Sequence, residues 1–511
     1  MGYLIGIDIG SSACKSTMID EQGMEVATAE KSYPTYSPAP GWYEQDPEDW
    51  YRVACETVKF CVEKSGIDVR NVIGIAVDGP AHAFALLDSE GKSLGRVIHW
   101  SDLRAIEQAR LLYEKYGKRI FDLTLQRASV ASSPAQLLWL KENRPEICSR
   151  VQFLFVTKDF VRYRLTGTSV TDPYDAVGVQ LYDIEKKQWS TDLSEIIDFP
   201  IDYLPKVSPS QKIAGFLLAD PAREMGLLQG IPVAVGSGDS AVETLSIGAV
   251  SPGDCIVKLG TSANVEVITG RVCPSIEYMT YPYFIGESWI SIAATNSGAR
   301  TLSWFSDLIC DLHKHHLSKE NLYGELLNQA EAVEPGSAGL LFQPFLAGER
   351  SPYWDPNLRG QFIGVRIDHG GKHFIRAILE GVAYSLRDCF EVFKMNNVHV
   401  RKVRLIGGGT KSSLWCQIIS DVLGMEVFLS ARHGADIGSA LIAGVATGVY
   451  SNFNEAHQKL RIDESMIAPR KEFYYLYSKY FSIYREIVRD NSRLGMKMGN
   501  ILSAFNKEEK H

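Results

Sequence analysis

Two stretches of this chain follow the same pattern. Residues 4–20 read "LIGIDIGSSACKSTMID" and residues 255–269 read "CIVKLGTSANVEVIT". Each is an apolar strand run that enters a Gly followed by two hydroxyl residues and leaves on a second strand. A unit repeated at matching positions is the mark of an internal duplication. The first copy also brushes against a P-loop, because Gly10 is followed by four residues and then Lys15-Ser16. The Gly that a P-loop places before its Lys is replaced by Cys14, and "KSTMID" is strand-like where a P-loop needs a helix. The pattern therefore predicts a β-hairpin whose tight turn carries Gly10, Ser11 and Ser12, with a twin turn at Gly260, Thr261 and Ser262.

The rest of the chain reads as alternating strands and helices. A helix is expected after "EQDPEDW": Asp46 caps, Pro47 suits the first position, and Glu48 and Asp49 favour the positive helix end. "VIGIAV" is a buried-strand run ending at Asp78. "AFALLDSEGKSLGRVIHW" reads as a hairpin with a "SEGK" turn. Helices are expected around "PAQLLWLKEN" and "TKDFVRYRLTG", and a strand "IPVAV" ends in "GSGD". Later, "VRLIGGGT" runs into "KSSLWCQIISDVLG", with capping serines and an apolar helical face. The fold class expected is α/β, with a domain at 1–249, a second at 250–500, a cleft between them and a tail at 501–511. A helix near 470–500 is free to dock on either domain.

Totals narrow the partners. With 511 residues the length prior gives two to four domains. Net charge is −8 with no long Lys/Arg run, so a nucleic-acid surface is not expected. The longest nearly charge-free run, "IGSALIAGVATGVYSNFN", is too rich in Gly, Ser and Asn for a membrane span. The start, "MGYLIGIDIG", lacks a basic n-region and meets Asp8, unlike a signal peptide. Nine scattered cysteines without a C-x-x-C fit a reducing cytosol, so the expected location is cytoplasmic.

Four elements have the chemistry of a nucleotide site. The turn at Gly10–Ser12 offers backbone N–H groups and hydroxyls, which bind anions as a nest without a helix. Asp8, just before it, can hold a hydrated Mg²⁺. The twin turn at Gly260–Ser262 can face the first and clamp a polyphosphate. Gly407, Gly408 and Gly409 lie between a strand and a helix start, where backbone approaches a ligand closely. Asp239 follows a strand, at the carboxyl end where α/β sheets place ligands. Alone, each is as well explained as a turn, a helix-entry loop or a cap; together they gain weight from the two matched hairpins. His313, His315 and His316 read as a solvated helix face, since their spacing fits no zinc site. For His82 and Trp100, core and substrate roles balance.

Jointly the motifs resemble the FGGY carbohydrate kinase family, within the actin-like (ribonuclease H-like) ATPase fold, and most closely its xylulokinase branch. The resemblance runs from about residue 3 to about residue 450. It is carried by "GIDIGSSACKSTMID", "EQDPEDWY", "LLDSEGKSLGRVIHWSDLR", "PAQLLWLKENRPEI", "GSGDSA", "KLGTSANVEV", "FLAGERSPYWDPNLRGQFIGV" and "LIGGGTKSSLWCQIISDVLG". Gln136 stands where the family usually has Lys. The resemblance implies two actin-like domains with a central cleft, ATP and Mg²⁺ as cofactors, and a small sugar as substrate. A homodimer is compatible with it. It also implies Asp239 as general base, Asp8 on Mg²⁺, Gly10–Ser12 and Gly260–Ser262 on phosphates, and Gly407–Gly409 along the nucleotide. Ala81, His82, Asp102 and Ser240 fall at sugar-side positions.

The departures sit around the sugar. Where the xylulokinase pattern has Gly-Gln-Met-His-Gly, this chain has Gly79-Pro80-Ala81-His82-Ala83. Where it has Gly-Gly-Asp-Asn, this chain has Ser237-Gly238-Asp239-Ser240. Loss of a paired polar contact costs about 1–3 kcal/mol, enough to move preference among similar sugars. D-Xylulose leads; gluconate, ribulose, L-xylulose and polyols follow. Readings from other classes are an actin-like ATPase without a sugar and a non-catalytic sugar sensor. Against the first stand the sugar-side residues; against the second, the intact base.

Overall fold

The structure, a computed structural model, describes residues 1–313, 319–430, 434–460 and 462–508. In its first half, β1 (Tyr3–Ile9), β2 (Ala13–Asp20) and β3 (Glu25–Ser32) form an antiparallel meander. Helix α1 (Pro47–Ser65) follows, capped by Asp46, whose carboxylate accepts from the Glu48 N–H. β4 (Val72–Asp78) then lies parallel to β1. Far along the chain, β5 (Ile213–Phe216) and β6 (Pro232–Ala234) complete a sheet of order β5-β6-β4-β1-β2-β3, and α2 (Asp239–Ser246) starts just beyond β6.

The second half rebuilds this layout. β7 (Asp254–Leu259) and β8 (Ala263–Thr269) form the twin hairpin, and β9 (Met279–Pro282) and β10 (Trp289–Ala294) extend it antiparallel. Helix α3 (Ala299–His313) and the long α4 (Gly371–Met395) lie between the hairpin and β11 (Lys402–Ile406), which runs parallel to β7. After α5 (Ser413–Leu423) come β12 (Val427–Ser430), α6 (Ala435–Ala446) and β13 (Glu464–Ile467), giving the order β9-β10-β8-β7-β11-β12-β13. The two sheets thus share a core motif: a hairpin whose first strand has a parallel neighbour on its other side.

One core packs on each of the two main sheets, and another joins the halves. Ile5, Ile7, Trp50, Val53, Ile75 and Val233 pack in the first; Val257, Val265, Leu379, Trp415 and Ile418 pack in the second. The joining core is made by α6, which leaves the second sheet and lies across the first, its Leu441 and Ala440 meeting Leu4, Ala76 and Ala234. Gly6 permits this close approach, since a Cβ there would sit 1.8 Å from the Asp436 carbonyl oxygen.

Two sequence expectations change. The strand Phe84–Leu87 pairs with Phe153–Val156. The "SEGK" turn does form, with Leu94 N–H donating to Leu86 O at 2.8 Å, while Val97–Ile98 of the expected return pairs with Glu44–Gln45 and the segment Lys92–Leu94 next to the turn carries only an isolated bridge, Leu87 to Ser93. That segment is polar, whereas "FLFV" is a mostly buried apolar run and makes the better ladder. The last helix, α7 (Lys471–Glu508), runs through most of the expected tail. It docks on the second half through Tyr477, Phe481, Tyr484 and Val488. His315 and His316 lie outside the described residues. The eight described cysteines are all free. Among the described residues, no helix is long and apolar enough to cross a membrane.

Candidate active site

The turn of the first hairpin closes on itself: Gly10 N–H donates to Ala13 O at 3.0 Å. Its outer atoms are braced by side chains from elsewhere. Gln45 Nε2 donates to Ser11 O at 2.8 Å, Trp100 Nε1 donates to Ser11 Oγ at 2.9 Å, and the Tyr33 hydroxyl donates to Gly10 O. Trp100, ambiguous in the sequence, therefore supports the first turn. Ser12 is exposed.

The second turn is tighter, with Gly260 N–H donating to Ser262 O at 3.1 Å. Here the brace is a helix start. Ala299 N–H reaches Gly260 O at 2.7 Å and Arg300 N–H reaches Thr261 O at 3.1 Å, so α3 butts onto the turn. Gly298 makes that contact sterically feasible, because a Cβ there would lie 2.7 Å from Gly260 O. The glycine loop packs on the same strand end: Cβ atoms added at Gly407 and Gly409 would fall 2.8 Å from Leu259 O and 2.4 Å from Leu259 Cδ2. Gly408 has open space around it. Ser412 caps α5 by accepting from Trp415 N–H at 3.2 Å. Two of the predicted elements, the twin turn and the glycine loop, are thus side by side.

Asp239 is the first residue of α2, and its N–H donates to Gly79 O at 3.0 Å, stitching the "GSGD" turn to the end of β4. Its Oδ1 accepts from Ser240 N–H at 2.7 Å. Beneath the turn lies a fully buried ion cluster: Lys158 Nζ meets Asp159 at 2.6 Å, Asp175 at 2.8 Å and Asp172 at 3.2 Å. Asp172 also accepts from Ser237 Oγ at 2.7 Å, so this cluster holds the residue two before Asp239. Burial raises the Asp239 pKa above the ordinary carboxylate value; Lys258 and the Ser240 N–H oppose the rise, and Glu243 adds to it. Lys258 comes from β7, which places the second hairpin within electrostatic reach of Asp239; its Nζ pairs with Glu243 at 2.5 Å.

Asp8, near the end of β1, has its carboxyl raised to about 7 by burial, with further push from Asp436 and Asp239, while contact with the Asp78 carboxyl and Lys258 lower it. Its Oδ1 is buried with no hydrogen-bond partner. The carboxylate borders the first turn, as a Cβ on Gly10 would be 3.8 Å from Oδ1. An oxygen left without a donor beside a phosphate-type turn suits a hard divalent cation. Among the described residues, no three His, Cys, Asp or Glu side chains converge on a metal position. Such a cation would take the rest of its shell from phosphate and water.

At the positions the sequence resemblance gives to the sugar, His82 Nε2 and the Tyr281 hydroxyl are 3.0 Å apart, linking the two halves. Tyr281 stacks on Tyr174 with ring centroids 4.4 Å apart, and the Tyr174 ring lies against Gly238. Burial, together with the Arg350 charge, lowers the His82 pKa to about 4, so the imidazole is neutral at pH 7. Arg350 is fixed by Nε to Asn296 Oδ1 at 3.0 Å and a second nitrogen to Thr295 O at 2.9 Å. Ala81 is buried, and Gly178 lies so near that a Cβ there would be 2.7 Å from the Ala81 methyl. Asp102 is 1% exposed, with its carboxylate taken by the Arg104 guanidinium at 2.8 and 2.9 Å and by Tyr43 N–H at 2.5 Å. In this arrangement Asp102 anchors the Trp42–Glu44 segment.

Sequence reasoning missed Lys258, Asp78, Tyr281 and Arg350. The repeat itself held a signal for Lys258, which stands two residues before its Gly as Asp8 does.

Residues 3–246 match the FGGY family of carbohydrate kinases, N-terminal domain, and residues 255–447 match its C-terminal domain. The chain belongs to that family. It is 30% identical over 492 residues to the xylulose kinase of Bacillus subtilis (strain 168), covering 95% of this chain and 97% of that one. Among solved structures, a gluconate kinase from Lactobacillus acidophilus aligns with TM-score 0.90 at 24% identity, covering 97% of this chain and 99% of its own. A ligand-bound xylulose kinase from the same organism gives TM-score 0.90 at 24% identity, covering 98% of this chain and 100% of its own. Equal likeness to two kinases named for different substrates shows that the fold does not choose the sugar.

Proposed function

We propose that this sugar kinase transfers the γ-phosphate of ATP to a hydroxyl of D-xylulose, giving D-xylulose 5-phosphate. The observation that carries the chemistry is Asp239, stitched to a strand end between the two hairpins, with a raised pKa and the Lys258 charge within reach. In phosphoryl transfer the protein contributes mainly position and charge. Asp239 takes the proton of the 5-hydroxyl as that oxygen bonds to the γ-phosphorus and the bond to the β-phosphate oxygen breaks. Gly10–Ser12 and Gly260–Ser262 bind the phosphates: the glycine N–H groups close the turns, and the N–H groups of Ser11, Ser12, Thr261 and Ser262 donate to phosphate oxygens, where preorganised donors are most effective. Gly407–Gly409 lie along the nucleotide. Asp8 would hold Mg²⁺, which neutralises phosphate charge when bound. On the sugar side, neutral His82, oriented by Tyr281, hydrogen-bonds a hydroxyl, with Ser240 and the Ala81 wall beside it. Asp102 supports this region through Arg104. Closure of residues 1–249 against 250–500 would exclude water, since an open site would hydrolyse ATP.

Arg350 favours a second substrate reading. A guanidinium close enough to perturb His82 suits an acidic sugar such as gluconate. A coupled ADP-release screen over D-xylulose, L-xylulose, ribulose, gluconate, glycerol and erythritol decides. Highest kcat/KM on D-xylulose supports the first reading. Strong preference for gluconate replaces it, and sugar-independent ATP hydrolysis alone would remove the kinase assignment of the site. The free cysteines fit a cytoplasmic enzyme.

A further inference from the structure

Asp78, the last residue of β4, is the ladder partner of Asp8 across the parallel β1–β4 pair. It is 0% exposed. One of its oxygens, Oδ2, accepts from Ser439 Oγ of α6 at 2.6 Å. The other, Oδ1, has no hydrogen-bond partner, and neither has Asp8 Oδ1. Two carboxyls therefore stand side by side at the phosphate turn, each with a buried oxygen that no donor satisfies. Buried carboxylates in contact repel strongly unless something positive or a proton lies between them. The nearby ammonium groups are engaged elsewhere: Lys258 pairs with Glu243 at 2.5 Å and Lys15 with Asp436 at 3.3 Å. The corresponding ladder pair of the second half is Lys258 with Ile406, so the double carboxyl belongs to the first half alone.

We propose that Asp78 is a second carboxylate ligand, alongside Asp8, for the divalent cation that accompanies the nucleotide. This rests on the reading of Asp8 as the cation's holder. Magnesium and manganese sites beside nucleotides use one or two carboxylates and take their remaining ligands from phosphate and water. Ser439 orients Asp78, occupying Oδ2 and leaving Oδ1 for the cation. Because Ser439 lies on α6, the second half of the chain helps shape the cation site of the first.

The test is Mn²⁺ binding to the metal-free full-length protein with saturating ADP, read by electron paramagnetic resonance of free Mn²⁺. Asp78→Asn and Asp8→Asn are each expected to weaken Mn²⁺ at least tenfold. If Asp8→Asn weakens binding while Asp78→Asn stays within twofold of the parent, the assignment of Asp78 is overturned and that of Asp8 stands. If neither change matters, the reading of Asp8 falls as well. Should Asp78→Asn fail to fold, Ser439→Ala is read in the same titration. A loss of about threefold supports the assignment, and unchanged affinity counts against it. A rise in metal-free melting temperature for Asp78→Asn, with Mn²⁺ affinity intact, would show that the pair is a site of charge repulsion and not a cation site.

Discussion

Two residues before its glycine, the first hairpin carries Asp8 and the second carries Lys258, and the strands beside them differ in the same sense: Asp78 adjoins Asp8, while Ile406 adjoins Lys258. The backbones are alike. Each turn is closed by its own glycine N–H, to Ala13 O in one and Ser262 O in the other, and each first strand has a parallel neighbour. Phosphate binding by a turn uses main-chain N–H groups, which survive any change of nearby side chain. The duplicated scaffold therefore left its flanking positions free to diverge. One copy became the acidic side, suited to a cation; the other became the basic side, placed to compensate charge at Asp239.

Breaking the centre of this comparison has the largest expected effect. Asp239→Asn should lower kcat by about 10²–10⁴-fold, the range for loss of a general base, while ATP affinity by calorimetry stays within twofold. Removing the acidic side comes next. Asp8→Asn should lower kcat/KM by on the order of a hundredfold at fixed Mg²⁺, with partial recovery when Mg²⁺ is raised. A Mg²⁺ titration of the rate checks this.

Smaller effects sharpen the comparison at its edges. Tyr281→Phe removes a hydrogen bond worth about 0.5–1.5 kcal/mol, so KM for the sugar should rise about two- to twelvefold with kcat little changed. Its pH profile between 6 and 8 should match the parent's, because His82, with a pKa lowered to about 4, is neutral throughout. Least of all, Trp100→Phe releases Ser11 Oγ and should raise KM for ATP about two- to threefold. Initial-rate measurements separate these two through the substrate whose KM moves.

The hairpins, the strand end before Asp239 and the glycine loop are legible in the sequence because each is local. A Gly with two hydroxyl residues between apolar runs specifies its own turn, and Ser412 caps the helix it begins. What the sequence conceals depends on partners far along the chain. Nothing near Asp78 shows that it adjoins Asp8; that follows from a parallel register. The crossing of α6 onto the first sheet is equally hidden, since "ADIGSALIAGVA" announces a buried helix but not which sheet buries it. Its fit depends on Gly6, more than 400 residues away. Phe84–Leu87 went astray for the same reason: the adjacent polar segment lost to a distant apolar one.

The role assigned to the basic hairpin is tested most directly by the pH profile of kcat/KM for the sugar at saturating MgATP. The comparison is between the parent and the double variant Lys258→Met/Glu243→Gln, which removes both members of the pair so that Glu243 is not left unpaired beside the site. Burial already raises the Asp239 pKa above its ordinary value, and Lys258 holds it down. The rate should therefore fall on the acidic side as Asp239 takes up a proton. Without Lys258 the ionised form loses a favourable charge, so that limb should move to higher pH, reduced in part by the loss of Glu243. An acid limb that stays in place, with only the plateau changed, would contradict the assignment of Lys258 as the charge that supports the base.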